Sequence, residues 1–318
     1  MKTKMKWVAP VAAALLLAAC GADEEKALND TAKEQETVEQ AKAAGPYTVI
    51  DDRGIEVTFN EVPETIISLQ PSNTEILFEL GVGEQIVGAT DFDVYPEAAQ
   101  KIERVSTSMA INAERILELN PDVVVAYTSG NEEQITQLED AGLKVFVIAS
   151  ATSFDDVYTD IIQLSEVMGV EAKGEEIVAG IQAQITAVQE KTDTVGTKKK
   201  VYYEVSPAPD IWTTGNNTFQ QEIMNAAGVE NLFADQDSWL SVTEEDVITR
   251  NPEVIITPAT YMENAVDEIL GRAGWDQIQA VSDKSVVLVD GEVMSRPGPR
   301  IGEAVEIMAE AVYPNLFK

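Results

Sequence analysis

The feature that most constrains this chain is an internal repeat. Residues 114–125 read ERILELNPDVVV and residues 245–256 read EDVITRNPEVII: a short helix, an Asn-Pro turn and a buried strand, in register. A second pair lies upstream of these, EILFELGV at 75–82 and EIMNAAGV at 222–229. Asn-Pro turns between helix and strand are common, so one match alone carries little. Two matches in the same order mean that the chain contains two related units.

Each unit alternates short apolar runs with amphipathic stretches, the pattern of a parallel sheet flanked by helices. The runs at 66–69, 86–89, 123–126 and 145–148 predict the strands of a first lobe. Those at 201–205, 254–257 and 286–289 predict a second. Before them, 47–50 and 55–59 flank Asp52-Arg53-Gly54 and read as a β-hairpin. Between the lobes, residues from about 171 to 191 predict one long helix, with Val178, Ile181, Ile185 and Val188 on its apolar face. The expected fold is therefore α/β, two related Rossmann-like lobes joined by a single long α-helix. Its parts are an amino-terminal lobe with a leading hairpin (47–168), the interlobe helix (169–195) and a carboxyl-terminal lobe (196–318). A helical connection makes a stiff hinge and predicts small rigid-body motion. Ligands of such folds sit in the crevice beyond the carboxyl ends of the strands.

The amino terminus concerns compartment. Lys2, Lys4 and Lys6 precede an apolar run over residues 7–19, too short for a membrane span of roughly 20 residues. The run ends in Leu17-Ala18-Ala19-Cys20, where Cys20 is the only cysteine of the chain. Residues 1–20 read as a lipoprotein signal peptide with a bacterial lipobox. Acylation of Cys20 would anchor the protein to the outer face of the cell membrane, since several acyl chains hold durably where one does not. Residues 21–46 are acidic and poor in large apolar side chains, and read as a flexible tether.

Composition removes whole classes of function. A net charge of −33 repels phosphate backbones, so nucleic acid is no partner. With no histidine and no cysteine beyond the anchor, no His-rich metal site and no Ser-His or Cys-His nucleophile can be assembled. Neither a catalytic centre nor a bound cofactor is expected, and the chain is read as a monomer.

Several stretches carry a resemblance: Pro71-Ser72-Asn73-Thr74-Glu75, residues 102–107 (IERVST), residues 112–116 (NAERI), Trp212-Thr213-Thr214-Gly215 and Pro299-Arg300-Ile301. With the order of anchor, hairpin, lobe, helix and lobe, they resemble the substrate-binding proteins of ABC importers for cobalamin, haem and siderophores, the cobalamin binders above all. The resemblance covers essentially the whole chain after Tyr47. It implies a cleft wall formed by Phe92, Ser108, Tyr127, Trp212, Trp239, Glu292 and Arg296, with cobalamin as transported ligand and no metal site. Ser108 stands where a tryptophan occurs in the cobalamin binders, and Glu292 where an aspartate does. The resemblance also implies docking of Glu114 and Glu245, one per lobe, onto an ABC permease dimer with its ATPase subunits.

Each residue has a plainer reading as well. The two glutamates also suit the first turn of a helix, where a carboxylate meets the positive end of the dipole. Trp212 and Trp239 also read as core or rim aromatics, and Tyr127 as an ordinary strand-end tyrosine. Arg296 and Arg300 bracket Pro297-Gly298-Pro299 in a stiff turn before the last helix. Arg296 is expected to hold an acceptor on the ligand and Arg300 to be structural. A ferric hydroxamate siderophore or haem is the alternative cargo.

Overall fold

The computed structural model describes residues 45–107, 110–128 and 132–318. The expected signal peptide, Cys20 and nearly all of the tether lie outside the described residues, as does Ser108.

The chain opens with an antiparallel hairpin, β1 (Tyr47–Ile50) and β2 (Glu56–Phe59). Gly54 turns it at a φ of 77°, a conformation that favours glycine. The Asp51 carboxylate accepts from the backbone N–H of Arg53 and Ile55, at 2.9 and 3.0 Å, and fixes the turn.

A five-stranded parallel sheet comes next: β3 (Ile66–Ser68), β4 (Ile86–Thr90), β5 (Arg104–Ser106), β6 (Val123–Tyr127) and β7 (Val145–Ile148), in spatial order β5-β4-β3-β6-β7. Its helices are α1 (Pro71–Glu79), α2 (Ala113–Leu119), α3 (Glu132–Asp140) and α4 (Phe154–Val167). Then comes the long helix α5 (Glu171–Thr192).

The second sheet contains β8 (Lys200–Ser206), β9 (Trp212–Thr214), β10 (Glu230–Asn231), β11 (Trp239–Ser241), β12 (Val254–Thr257) and β13 (Val286–Leu288). Strands β10 and β12 run parallel to β8, and β13 parallel to β12. Strand β9 runs antiparallel to β8, and β11 antiparallel to β9. The helices here are α6 (Phe219–Ala226), α7 (Glu244–Arg250), α8 (Ala265–Leu270), α9 (Gln279–Ser282), α10 (Gly291–Ser295) and α11 (Ile301–Val312).

The repeat has a physical basis. Helices α2 and α7 both end on an asparagine in the left-handed region, Asn120 at φ 46° and Asn251 at φ 51°. Asparagine tolerates that conformation, and the proline after it prevents the helix from continuing. Helices α1 and α6 end instead on Gly81 (φ 83°) and Gly228 (φ 70°). In both, the next N–H returns to the last turn, Val82 to Leu77 O at 3.0 Å and Val229 to Met224 O at 3.1 Å. Two kinds of helix stop, in one order, place equivalent strands side by side: β3 against β6, and β8 against β12.

The largest apolar core runs through both lobes. It joins Ile66, Val123 and Phe154 to Val201, Phe219 and Val305 by way of Ile177, Ile181, Ile185 and Val188 of α5. Val178, expected on that face, is only half-buried, and Ile177 takes the inner position. Phe154 and Phe219, from α4 and α6, meet edge to face at 6.1 Å.

On α4, Asp160 is buried, with 5% of its surface exposed. Burial, together with the charges of Asp52 and Asp156, pushes its carboxyl from 3.8 up to about 8. The folded protein therefore keeps this proton over a range in which the unfolded chain has lost it, so stability falls as pH rises from 3.8 towards about 8. The loss is about 1.4 kcal/mol for each pH unit in that window. Asp160→Asn should leave stability nearly unchanged at the acid end and raise it increasingly towards pH 8. Urea denaturation of both proteins across the window measures this, and parallel pH profiles would refute it.

Candidate functional site

Parallel strands leave a crevice at their carboxyl ends, where chain leaving the sheet turns into helices. A cavity of about 390 Å³ lies there. Leu69, Gln70 and Pro71 come directly after β3, Thr90 and Phe92 from the end of β4, Ser106 and Thr107 from β5, and Ala126 and Tyr127 from β6. The opposite wall is Gly291, Glu292, Ser295, Arg296 and Pro297, from α10 and the turn after it in the second lobe.

Helix α10 is held in place by its cap. Asp290 accepts from the N–H of Glu292 at 2.8 Å and of Val293 at 3.2 Å. Gly291 is required there, because a Cβ would stand 2.5 Å from the carbonyl oxygen of Pro258. These two residues aim Glu292 and Arg296 at the cavity.

Phe92, Tyr127, Glu292 and Arg296 thus come together as expected from the sequence, while Ser108 lies outside the described residues. Tyr127 is the last residue of its strand, and its hydroxyl donates to Ser150 Oγ at 2.6 Å. Phe92 exposes half of its surface beside the cavity.

Arg296, expected to hold an acceptor on the ligand, is also engaged by groups of the chain itself. Its Nη1 donates to Glu75 Oε1 at 3.0 Å and its Nη2 to the Phe92 carbonyl at 2.8 Å, and it also pairs with Glu292. Glu75 receives Arg300 as well, Nε on Oε2 at 2.8 Å and Nη2 on Oε1 at 2.7 Å. Arg300 lies over the Tyr95 ring at 4.1 Å. Burial opposes the Arg300 charge, but hydrogen bonding and attraction to Glu75 hold its guanidinium above the ordinary value.

Trp212 and Trp239 are not in the cavity lining. Trp212 begins strand β9. The register pairs Trp212 with Ser241 and Thr214 with Trp239, so both indoles fall on one face of the β9–β11 ribbon. Each is 42% exposed. Trp239 Nε1 donates to Gln220 Oε1 at 3.2 Å, and Gln220 reaches the Met294 carbonyl of α10 at 3.5 Å. The tryptophans therefore form a platform tied to the cavity wall through α10.

Glu114 and Glu245 stand exposed in the first turns of α2 and α7. Neither is ion-paired among the described residues. Their helices are capped by other side chains, with Asn112 accepting from Arg115 N at 3.1 Å and Thr243 from Asp246 N at 3.2 Å.

Sequence reading missed Gln70, Thr90, Ser106 and Ser295. A signal existed for the first two, since each stands immediately past an apolar run, 66–69 or 86–89, where a parallel strand opens onto the crevice. Among the described residues, no group of three His, Cys, Asp or Glu side chains could hold a metal ion.

Residues 66–293 match the family described as Periplasmic binding protein. The uncharacterized ABC transporter substrate-binding lipoprotein YvrC of Bacillus subtilis is 38% identical over 98% of each chain. A vitamin B12-binding protein of Vibrio parahaemolyticus is 31% identical over 77% of this chain and 88% of its own. The crystal structure of a possible iron-binding, periplasmic solute-binding protein from Staphylococcus epidermidis superposes with a TM-score of 0.72 at 33% identity, covering 79% of this chain and 99% of that one. Such proteins bind and hand over a substrate and perform no chemistry on it. With two linked α/β lobes, a cavity at the strand ends and relatives of this kind, the chain belongs to the periplasmic binding protein family, as a substrate-binding protein of an ABC transporter.

Proposed function

We propose that this protein captures a corrinoid, cobalamin, in the interlobe cleft and delivers it to an ABC permease dimer driven by ATPase subunits, from an anchor at Cys20 on the outer face of the cell membrane. The observation that carries this reading is the charge of the cavity. Among its described lining residues only Glu292 and Arg296 are charged, and they are paired with each other. A site with no unopposed cation suits a ligand without net negative charge at its rim, and amide-fringed corrins meet that condition. A corrin is larger than the cavity, so it would extend over Phe92 and onto the half-exposed indoles of Trp212 and Trp239, whose flat faces bury area at little entropic cost. The relative from Vibrio parahaemolyticus, named a vitamin B12-binding protein, supports the same ligand.

Haem fits less well. The chain has no histidine for an axial bond, its propionates would want free cations, and the Tyr127 hydroxyl already serves Ser150. A ferric hydroxamate complex carries little net charge, and the Staphylococcus epidermidis protein is described as a possible iron binder. That cargo is the second reading.

Thermal unfolding of the full chain in detergent separates these cargoes. Tight binding stabilises by mass action, about 2.7 kcal/mol at a hundredfold excess over Kd. Cyanocobalamin should raise the midpoint, and haem and ferric hydroxamates should not. A shift with a hydroxamate alone would replace the corrinoid by the siderophore.

Glu114 and Glu245, exposed at equivalent positions of the two lobes, suit a two-fold permease with one basic pocket per subunit. Glu114→Lys with Glu245→Lys should abolish uptake in cells and leave ligand affinity unchanged. Normal uptake by the double variant would remove these residues from the docking surface.

A further inference from the structure

We infer that Glu75 is the positioning residue of the cleft: through Arg296 and Arg300 it holds the second lobe's wall against the first and sets the breadth of the cavity. The inference rests on the cleft being the ligand site and adds what determines its width.

Glu75 lies in the first lobe on α1, and its side chain is 1% exposed. Its two oxygens accept three hydrogen bonds, at 2.7, 2.8 and 3.0 Å, from arginines 221 and 225 residues away in the second lobe. Among the described residues these are the only ion pairs that cross between the lobes. The same contact orients the cavity, because Arg296 also grips the Phe92 carbonyl and Glu292. Close behind it, Gly298 passes α1, where an added Cβ would come within 3.7 Å of Ser72.

The long helix and the shared core hold the lobes at the back, whereas the front of the cleft has this charged contact. Loss of the carboxylate leaves two largely buried guanidiniums short of their counter-charge, and the turn that carries them must move towards water. Such movement widens the cavity at Phe92 and releases Arg296.

Distance measurement between nitroxides tests this without any ligand, so failure of the corrinoid reading does not affect the outcome. Labels at Glu133→Cys and Asp267→Cys, exposed on the two lobes, in a full chain carrying Cys20→Ser, report the separation. The expected result is a narrow distribution for the parent. Glu75→Gln should give a broader one with a shifted mean, and Glu75→Asp, which keeps the charge, one in between. A general loss of packing would not be recovered by aspartate. Should Glu75→Gln fail to fold, Arg300→Met breaks the same contact from the other lobe and is expected to broaden the distribution too. A distribution identical to the parent's in whichever of these two variants folds overturns the inference.

Discussion

Helix α5 is the member on which the rest of the structure depends. It lies between α4 of the first lobe and α11 of the second, and its buried isoleucines and Val188 join both lobes into one apolar core. Apolar burial is non-directional and grows with area, so this joint resists separation of the lobes without defining their angle closely. The angle falls to directional contacts at the opposite side, where Glu75 receives Arg296 and Arg300. A stiff back and a charged front together favour small adjustments of the cleft over wide opening.

The lobes are related and not equivalent, and the differences form the site. On the outer side of β3 the first sheet continues through β4 to β5, all parallel. At the corresponding side of β8 the second sheet has only the two-residue β10, and the antiparallel β9–β11 ribbon extends it instead. That ribbon supplies both exposed tryptophans. Helix α10 comes after β13 and supplies the charged wall. The first lobe gives strand ends and an aromatic rim, the second gives a platform and charges.

Much of this was legible in the sequence because the signals were local. Seven strands, the hairpin and the long helix announce themselves by apolar runs, a glycine turn and an amphipathic face. The repeat was visible because two asparagines and two glycines perform the same helix-stopping task. Short strands such as β5, β9 and β11 were missed, for they lack the continuous apolar runs that reveal the equally short β3 and β13 and owe their pairing to neighbours distant in the chain. Glu75 was noted only as part of a motif. Nothing near it in sequence reveals that its partners come from the last quarter of the chain, so Arg296 looked free for a ligand when it was already held. Phe92 and Tyr127 follow from the family resemblance, and the structure places both at or just past the ends of strands.

The arginines link these points to the acidic composition. Arg53, Arg115, Arg250, Arg272, Arg296 and Arg300 all form ion pairs with carboxylates of the chain itself. In a protein of net charge −33 six of the seven arginines are thus already engaged by carboxylates, and the net surface field is negative. That field reaches about 10 Å at 0.1 M salt. It opposes the approach of anionic molecules and favours a basic docking partner, while the paired charges of the cavity add no attraction of their own. Under the proposed function, cargo selection rests on shape and apolar area within the cleft, and charge governs the meeting with the permease.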